Sequence, residues 1–440
     1  MMQKHLIKTF GCQMNIYDAA RMSDLLKAQC GTAPTEDPTQ ADLIIFNTCH
    51  VREKAEEKLF SELGRFKKSC GNRKVVFAVG GCVGQAEGMH IFRRAPYVDI
   101  VFGPQNYHHL PALLARVASG ETRIHDDTIP ADEKFDALPE HRVSGAIGSV
   151  TVQEGCDKFC AFCVVPYTRG REWSRSVDEI VRECQSLVEQ GARELLLMGQ
   201  NVNAYNGLDA GHMAHDLPML LHEVAMQTEV ERIRFVTSHP LDMSDDLIDA
   251  FAEIPQLCPY LHLPIQSGSD RVLQRMGRGH DAASYLDWVE KFRKAAPNGA
   301  MASDFIVGFP GESEADFQAT LDLVDVVRFD HAYSFKYSPR PGTPALEMED
   351  NLSEEVRKAR LATLQARLNL HQLERNRALV GSIAKVLVEG KARAGQGVVS
   401  GRTSCNRSVH FAGGDDLIGQ IVPVRITEGL PNSLRGEEAL

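Results

Sequence analysis

The sequence lacks any apolar run that approaches the roughly 20 residues needed to cross a bilayer, so we expect no membrane partner. Its first residues also lack the apolar core of a signal peptide, because Gly11, Gln13 and Asn15 interrupt it. We therefore expect a cytoplasmic protein whose thiols stay reduced. In that compartment, 11 cysteines indicate metal binding or catalysis more than disulfides.

An excess of positive charge is missing as well. The 48 basic and 59 acidic side chains leave a net charge of −11. A uniformly acidic protein would be repelled by nucleic acid, so any RNA partner must meet local basic patches. Heptads, tandem repeats and low-complexity tracts are also absent from the sequence. The length of 440 residues and the apolar content of 43% fit two to four folded domains.

The most informative motif is a CxxxCxxC run formed by Cys156, Cys160 and Cys163. Thiolate is the ligand that holds iron–sulfur clusters, and three thiolates on one loop can bind three irons of a [4Fe-4S] cube. No fourth cysteine follows at short spacing, so one iron is predicted to stay open for a reaction. The alternatives are a zinc knuckle or core thiols, but zinc sites usually pair C-x-x-C with a second ligand pair.

The first quarter of the chain alternates strand and helix patterns. Continuous apolar runs separated by helical periodicity are typical of a parallel sheet that helices cover on both faces. The predicted strands are 6–10, 43–46, 75–79 and 98–102. This pattern predicts an N-terminal doubly wound parallel sheet domain.

Six further strand–helix units follow, which predict a partial, open (βα) barrel and a long trailing helix. Short β-rich runs separated by glycine-rich turns then predict a small antiparallel β-barrel at the C-terminus. The predicted limits are 1–120 for the N-terminal domain, 121–148 for a linker, 149–380 for the partial barrel with its helix, and 381–440 for the C-terminal barrel.

Three more cysteines share a position relative to the predicted strands. Cys12, Cys49 and Cys82 each lie two or three residues beyond the end of a strand. The carboxyl ends of parallel strands meet at one edge of the sheet, where open α/β folds build their sites. We therefore predict that these thiols converge and hold a second [4Fe-4S] cluster. The alternative is three buried structural cysteines, since free cysteine is among the most buried residues.

The chain resembles the radical S-adenosylmethionine methylthiotransferases over nearly its whole length. The CxxxCxxC motif after the first barrel strand resembles the radical S-adenosylmethionine enzymes, and the three N-terminal cysteines narrow this to methylthiotransferases. The matching stretches are 10–15, 47–49, 80–83, 163–170, 199–205, 237–240, 263–269, 304–311, 335–343 and 432–434. Stretches 163–170 and 199–205 are most similar to the subgroup that acts on N(6)-dimethylallyladenosine at position 37 of tRNA.

This resemblance implies two [4Fe-4S] clusters with different roles. Cys156, Cys160 and Cys163 would hold the cluster that binds S-adenosylmethionine and cleaves it to a 5′-deoxyadenosyl radical. Cys12, Cys49 and Cys82 would hold an auxiliary cluster that supplies sulfur. The implied product carries a methylthio group on carbon 2 of the isopentenylated adenine beside the anticodon, at the cost of two S-adenosylmethionine molecules. The implied partner is tRNA carrying isopentenylated adenosine. We also expect a low-potential electron donor of the flavodoxin or ferredoxin type and a monomeric enzyme.

Loops that follow barrel strands are predicted to bind the cofactor, because barrel sites form from such loops. For the loop of Gly199, Gln200 and Asn201, the alternative is an ordinary turn. For Ser238 and Gln266, the alternative is turn capping. The candidates are Gly199, Gln200, Asn201, Ser238 and Gln266. We expect His239 to be structural.

The resemblance implies that the C-terminal barrel is an RNA-binding appendage. Basic residues in this barrel and beside the first cluster are predicted to contact RNA phosphates. Such contacts position the substrate. For any single arginine, the alternative is a solvated surface side chain. The candidates are Arg169, Arg171, Arg175, Lys391, Arg393, Arg402 and Arg407.

Other functions remain open at this point. A related methylthiotransferase would act on an aspartate of a ribosomal small-subunit protein, and another would act on threonylcarbamoyl-adenosine in tRNA. A basic C-terminal barrel favours RNA over a basic protein, although Asp415 and Asp416 are acidic. A non-enzymatic alternative is an RNA-binding iron–sulfur redox sensor.

Overall fold

The computed structural model describes residues 2–49, 54–129, 134, 135, 137–143, 145–392, 395 and 397–439. Two compact units are present, and each is described by itself. The first comprises Met1–Arg142, Glu154–Asp157 and Cys163–Trp173, and the second comprises Val143–Gln153, Lys158–Phe162 and Ser174–Leu440.

The first unit is built on a six-stranded sheet in which every pairing is parallel. Its order is β2-β1-β3-β4-β5-β6. The strands are β1 (Lys4–Phe10), β2 (Ala33–Pro34), β3 (Leu43–Thr48), β4 (Val76–Gly80), β5 (Ile100–Phe102) and β6 (Ile124–Asp126). The predicted doubly wound parallel sheet is confirmed.

Helices cover both faces of this sheet: α1 (Gln13–Cys30), α2 (Lys54–Cys70), α3 (Cys82–Glu87), α4 (His90–Arg94) and α5 (Leu110–Ala118). Neighbouring residues of β3 divide between the two layers. Ile44 and Phe46 pack on the side of α2, whereas Leu43 and Ile45 pack with α1 and α5. Each fully buried side chain of this kind contributes about 1.5–3 kcal/mol, which explains the continuous apolar run of β3.

The segment predicted as a linker, 121–148, differs from that expectation. It includes β6, which pairs with β5 at the edge of the first sheet. A strand of three residues, Ile-His-Asp, offers only one apolar side chain, so its sequence gives no strand periodicity. The CxxxCxxC motif also divides between the two units. Glu154–Asp157 and Cys163–Trp173 belong to the first unit, and Lys158–Phe162 belongs to the second. The predicted domain limits stay a prediction.

The second unit contains the strands β7 (Ile147–Thr151), β10 (Glu194–Met198), β11 (Asn206–Leu208), β12 (Ala214–Asp216), β13 (Arg232–Phe235), β14 (Tyr260–His262), β15 (Ala300–Val307) and β16 (His331–Lys336). Two short strands, β8 (Gln153–Glu154) and β9 (Trp173–Ser174), are divided between the units, because Glu154 and Trp173 belong to the first. Six strands of the second unit form two parallel three-stranded sheets, β13-β10-β7 and β14-β15-β16. These six strands coincide with the six predicted units of the partial barrel.

Helices alternate with these strands, and α6 belongs to the first unit. They are α6 (Val165–Arg169), α7 (Val177–Glu189), α8 (Leu217–Gln227), α9 (Asp245–Glu253), α10 (Asp270–Arg275), α11 (Ala282–Ala295), α12 (Glu314–Val327) and α13 (Glu354–Arg377). Serine caps fix several of their starts. The side chains of Ser176, Ser244 and Ser313 accept hydrogen bonds from backbone N–H groups of α7, α9 and α12. Each such cap contributes about 1 kcal/mol.

A closed five-stranded barrel ends the chain, in the order β17-β18-β19-β21-β20. The strands are β17 (Ile383–Lys391), β18 (Val398–Thr403), β19 (Ser408–Ala412), β20 (Ile421–Gly429) and β21 (Leu434–Glu438). The small barrel was predicted, but one of its pairings, β19 with β21, is parallel rather than antiparallel. Among the described residues, no helix is both long and apolar enough to cross a membrane.

Candidate functional site

The second cysteine trio lies at one edge of the N-terminal sheet. Cys12 follows the end of β1 by two residues, Cys49 comes directly after β3, and Cys82 follows β4 by two residues. Strand β3 lies between β1 and β4, so all three carboxyl ends are adjacent. Cys12 and Cys49 share a side-chain hydrogen bond, and Cys12 lies close enough to Cys82 to help raise the pKa of that thiol. The structure therefore brings together the three thiols that were predicted to converge at this edge.

Two glycines allow the loops that carry these cysteines to approach each other. A Cβ at Gly11, where φ is +133°, would lie 2.2 Å from the Cβ of Cys49. A Cβ at Gly81, where φ is +84°, would lie 2.5 Å from the Oδ1 of Asn47 and 2.8 Å from the carbonyl of Thr48. Only glycine fits at these contacts, because both the backbone conformation and the space exclude a side chain.

We expect Gly11→Ala to separate the loops of Cys12 and Cys49 and to lower the iron bound by the N-terminal unit. The strained φ alone costs about 1 kcal/mol, and the overlap with Cys49 adds to it. Gly120→Ala is the matched control, since its φ is +98° but its Cβ would meet open space. Iron per chain after anaerobic reconstitution measures the effect. Equal iron loss in both variants would contradict a role for the contact with Cys49.

The three thiols differ in their electrostatic surroundings. The hydrogen bond with Cys49 lowers the pKa of Cys12 to about 6; desolvation opposes this shift and the charge of Arg169 supports it. Burial raises the pKa of Cys82, whereas the guanidinium of Arg169, hydrogen-bonded to this thiol, lowers it. A positive group beside two thiols suits a site that must hold thiolates.

Arg169 is buried among charges that all belong to the first unit. Its guanidinium donates to Asp18 at 2.6 Å and to Glu154 at 3.3 Å, and its carbonyl accepts from Gln105 at 2.9 Å. Lys134 completes the group by pairing with Glu154 at 2.7 Å. Burial opposes the charge of Arg169, but Asp18, Cys82 and Glu154 raise its pKa well above its usual range.

This placement argues against the prediction that Arg169 contacts RNA. Its side chain is 3% exposed and its donors are directed at carboxylates and a thiol. A phosphate would have to displace a buried ion pair, which costs about 3–5 kcal/mol when one partner is left alone. The structure places Arg169 beside the thiols of Cys12 and Cys82, and its contact with RNA stays a prediction.

The surroundings of the trio are compatible with an iron–sulfur cube. In the described part of the chain, no three His, Cys, Asp or Glu side chains are grouped so as to hold one metal ion. A cube of four irons takes its thiolate ligands at separate corners, so it does not require that the sulfurs meet at one point. Convergent strand ends, the two glycines and the buried Arg169 fit such a group.

In the first unit, the ends of the CxxxCxxC motif are held by backbone contacts. The N–H of Cys156 donates to the carbonyl of Gly170 at 3.3 Å. At Gly155, where φ is +76°, a Cβ would lie 1.9 Å from the carbonyl of Arg171, so glycine is required. The Sγ of Cys163 accepts from the N–H of Val165 at 3.5 Å, at the start of α6.

In the second unit, Cys160 lies between an arginine and a histidine. The Nη1 of Arg278 donates to the Sγ of Cys160 at 3.5 Å, and the Nε2 of His239 lies 4.0 Å from the same sulfur. Burial, with Arg278 and His280 nearby, lowers the pKa of His239 to about 2. His239 is therefore neutral, and its ring faces a predicted cluster ligand, although we expected only a structural role for it.

The loop after β10 carries three predicted cofactor contacts and is fixed by a neighbouring side chain. The backbone N–H groups of Gln200 and Asn201 donate to the Oε1 of Gln153 at 3.0 and 3.1 Å. A Cβ at Gly199 would lie 2.7 Å from that oxygen. Asp242 then links the Nδ2 of Asn201, at 2.8 Å, to Lys158 of the cysteine motif, at 2.6 Å.

Ser238 and Gln266 also follow strands of the partial barrel. Ser238 is buried, and its hydroxyl has no hydrogen-bond partner among the described residues. Gln266 has a φ of +76° and bridges to β15 through its backbone, donating to the carbonyl of Asp304 at 2.9 Å. A buried hydroxyl without a partner suits a ligand contact at Ser238. Cofactor binding by Gly199, Gln200, Asn201, Ser238 and Gln266 stays a prediction.

The other predicted RNA contacts fall into two groups. Arg175 and Arg407 are buried, and their guanidinium groups are paired with Glu183 and Asp330. For both, the buried ion pair argues against contact with phosphate. The more exposed candidates are Arg171, Lys391 paired with Asp415, and Arg402 paired with Glu389, whereas Arg393 lies outside the described residues.

Arg407 belongs to a joint between the C-terminal barrel and the amino ends of the central strands. At the starts of β10 and β13, Arg234 pairs with Glu194 at 2.8 Å and donates to the carbonyl of Ser404 at 2.9 Å. Arg232 donates to the carbonyls of Arg402 and Lys385 at 3.1 and 2.8 Å. This joint lies at the ends of the strands opposite to the predicted cofactor loops.

We expect Arg407→Gln to destabilise the second unit by about 3–5 kcal/mol, because Asp330 would stay buried with only the more distant Arg375, whose Nε lies 4.0 Å away, as a charge partner. Arg435→Gln is the control, since its pair with Glu428 is exposed and contributes at most about 1 kcal/mol. Urea unfolding of both variants measures the difference. Equal stability of the two would show that the Arg407 pair does not hold the joint.

Several residues of the site carried no signal in the sequence. Asp18, Glu154 and Gln153 are ordinary polar residues in strands and helices until the fold brings them to Arg169 or to the loop after β10. Arg278 follows a short helix and differs in no local pattern from its neighbour Arg275. Only the pairing of distant segments identifies them.

Family models agree with this architecture. The Radical SAM superfamily matches residues 150–324, the family described as Uncharacterized protein family UPF0004 matches residues 4–103, and the TRAM domain matches residues 377–438. The fold and the cysteine motif thus define a radical S-adenosylmethionine enzyme. Enzymes of this class use S-adenosylmethionine and a [4Fe-4S] cluster.

Curated relatives narrow the assignment. The chain is 61% identical over 434 residues to the tRNA-2-methylthio-N(6)-dimethylallyladenosine synthase of Magnetococcus marinus, covering 98% of this chain and 99% of that one. It is 52% identical to proteins of the same name from Alkalilimnicola ehrlichii, with 98% and 96% covered, and Methylococcus capsulatus, with 99% and 95% covered. The chain belongs to the family of tRNA-2-methylthio-N(6)-dimethylallyladenosine synthases, radical methylthiotransferases that carry two iron–sulfur clusters.

Solved structures share the fold at low identity. The radical S-adenosylmethionine methyltransferase TsrM from Kitasatospora setae, solved with cobalamin and a [4Fe-4S] cluster, has a TM-score of 0.59 at 14% identity and covers 79% of this chain and 74% of its own. The cobalamin-dependent enzyme OxsB has a TM-score of 0.52 at 11% identity and covers 84% and 56%. These likenesses concern the fold alone.

Proposed function

We propose that the protein transfers a methylthio group to carbon 2 of N(6)-dimethylallyladenosine at position 37 of tRNA, using two S-adenosylmethionine molecules. The observation that carries this proposal is the presence of two separate cysteine trios, one at the edge of the N-terminal sheet and one in the CxxxCxxC motif. The relatives at 52–61% identity bear the name of this activity. None of those names favours the ribosomal-protein substrate, the threonylcarbamoyl-adenosine substrate or the redox sensor.

The cofactors would supply the radical and sulfur chemistry that an unreactive C–H bond requires, and the protein would bind and orient them. Cys156, Cys160 and Cys163 would hold the cluster that binds S-adenosylmethionine, and Cys12, Cys49 and Cys82 would hold the auxiliary cluster. The buried charge of Arg169 would stabilise thiolates in the auxiliary trio.

In the second unit, Gln153 and Asp242 would keep the loop of Gly199, Gln200 and Asn201 in one conformation. A fixed loop lowers the cost of ordering when the cofactor binds. The hydroxyl of Ser238 and the backbone of Gln266 lie on neighbouring loops that follow strands, where barrel enzymes bind their ligands.

For RNA, we propose phosphate contacts from the more exposed residues Arg171, Lys391 and Arg402. The ion pairs of Lys391 and Arg402 are partly exposed and contribute little, so a phosphate can replace the carboxylate at low cost. We expect Lys391→Gln to weaken tRNA binding. The slope of the logarithm of the binding constant against the logarithm of the salt concentration should become smaller by about one unit. Filter binding over a salt series tests this, with Arg435→Gln as control. An unchanged slope would remove Lys391 from the interface.

We further propose that a flavodoxin or ferredoxin type donor supplies the electrons, and that the enzyme is a cytoplasmic monomer. A donor of this type would have to reach the low potentials that some iron–sulfur clusters require.

The decisive experiment is nucleoside mass spectrometry of tRNA from cells that lack the gene. The methylthio isopentenyl nucleoside should disappear while the isopentenyl nucleoside accumulates, and expression of the gene should restore it. Loss of a methylthio group from a ribosomal protein, or from threonylcarbamoyl-adenosine, with the isopentenyl nucleoside unaffected, would refute the proposed substrate.

A further inference from the structure

Two N–H groups converge on a single sulfur of the CxxxCxxC motif. The Nη1 of Arg278 lies 3.5 Å from the Sγ of Cys160, and the Nε2 of His239 lies 4.0 Å from it. All three side chains are buried, with Cys160 and Arg278 only 6% and 5% exposed. A buried guanidinium directed at a thiol requires an explanation, because an isolated buried charge is costly.

The direction of the Arg278 side chain is fixed by the backbone around it. Its Nη2 donates to the carbonyl of Pro264 at 2.6 Å, and its own N–H donates to the carbonyl of Leu273 at 3.0 Å. The N–H of Ala161, next to Cys160, donates to the carbonyl of Met276 at 2.8 Å. The turn that carries Arg278 is therefore tied to the loop that carries Cys160.

His239 is fixed equally well. Its N–H donates to the Oδ1 of Asn203 at 2.8 Å, and its carbonyl accepts from the Nδ2 of the same residue at 2.9 Å. The Nδ1 of His239 accepts from the N–H of Leu241 at 3.2 Å. A ring nitrogen that accepts carries no proton, so the proton lies on Nε2, the nitrogen that faces Cys160.

We propose that Arg278 and His239 are positioning residues that donate N–H bonds to the Cys160 sulfur and raise the reduction potential of the cluster held by Cys156, Cys160 and Cys163. The inference rests on the proposed function for the identity of that cluster. Hydrogen bonds to cluster sulfurs and local charge set the potential of iron–sulfur sites, and donors stabilise the reduced state, which carries more negative charge. The step affected is the gain of one electron from the low-potential donor, without change in any bond.

At Cys160, the side chains of Arg278 and His239 lie 3.5 and 4.0 Å from the sulfur. A potential raised at this cluster would let the donor reduce it more readily.

The test uses the full chain with Cys12, Cys49 and Cys82 replaced by alanine, so that one cluster gives the signal. After anaerobic reconstitution, EPR-monitored titration measures the midpoint potential with Arg278→Gln, with His239→Leu and with both. We expect about four irons per chain in each variant, a more negative potential in each single variant, and the largest shift in the double variant. Arg275→Gln is the control, because Arg275 lies three residues away and donates to the carbonyl of Pro310 instead.

Unchanged potentials at full iron content would overturn the proposal. If a variant loses its cluster, the protein in which only Cys12, Cys49 and Cys82 are replaced still tests the proposal. With 15N-labelled histidine or arginine, pulsed EPR of the reduced cluster should detect a weak nitrogen coupling from each residue, and its absence would also overturn the proposal. Both measurements are independent of tRNA, so a wrong substrate assignment would leave them readable.

Discussion

Cys82→Ala is expected to abolish formation of the methylthio nucleoside while leaving the cleavage of S-adenosylmethionine to 5′-deoxyadenosine intact. Cys82 is one of three thiols at the carboxyl edge of the N-terminal sheet, and its replacement would leave the predicted auxiliary cluster with two ligands. Iron should fall from about eight to about four per chain. Iron analysis and chromatography of the nucleoside products measure both effects on one sample.

Cys160→Ala should give the opposite pattern, without 5′-deoxyadenosine, because it removes a ligand from the CxxxCxxC motif. Cys30→Ala serves as the control, since this partly buried thiol packs against the apolar core of the first unit and lies outside both trios. If the Cys82→Ala protein keeps about eight irons and full activity, the N-terminal trio is structural after all.

Arg169→Gln should also empty the auxiliary site, although the residue is no thiol. Glutamine removes the positive charge beside Cys12 and Cys82 and leaves Asp18 and Glu154 with less compensation. A buried pair that loses one partner costs about 3–5 kcal/mol, so the thiolates and carboxylates would repel each other across the site. We expect iron near four per chain and no methylthio product, measured as for Cys82.

Arg169→Lys separates charge from geometry. Lysine keeps the positive charge but lacks the planar fork that reaches two carboxylates at once, so partial recovery of iron is expected. Arg116→Gln is the surface control, since its pair with Glu121 is exposed. Full iron content in Arg169→Gln would show that the buried charge serves stability rather than the cluster.

Much of the fold could be predicted because its strands are buried on both faces. Continuous apolar runs such as 43–46 stand out from the charged helices around them, and their order along the chain gives the parallel sheet. Once the sheet is known, Cys12, Cys49 and Cys82 share an edge by topology alone. The CxxxCxxC motif needed no fold at all, because its spacing is local.

The surroundings of these cysteines could not be predicted in the same way. Arg169 meets Asp18 across 151 residues of sequence, and Arg407 meets Asp330 across 77. A basic residue beside a cluster motif is as consistent with RNA contact as with a buried ion pair. Nothing local distinguishes the two, because burial depends on which distant segment supplies the carboxylate.

The joint at the starts of β10 and β13 has a consequence for how these enzymes diversify. Arg232 and Arg234 reach carbonyl oxygens of Lys385, Arg402 and Ser404, which any amino acid would present in the same backbone conformation. Side chains on the outer surface of the C-terminal barrel are then free to mutate without loosening its attachment. Substitutions on that outer surface can therefore change what the barrel contacts while its attachment to the central strands stays the same.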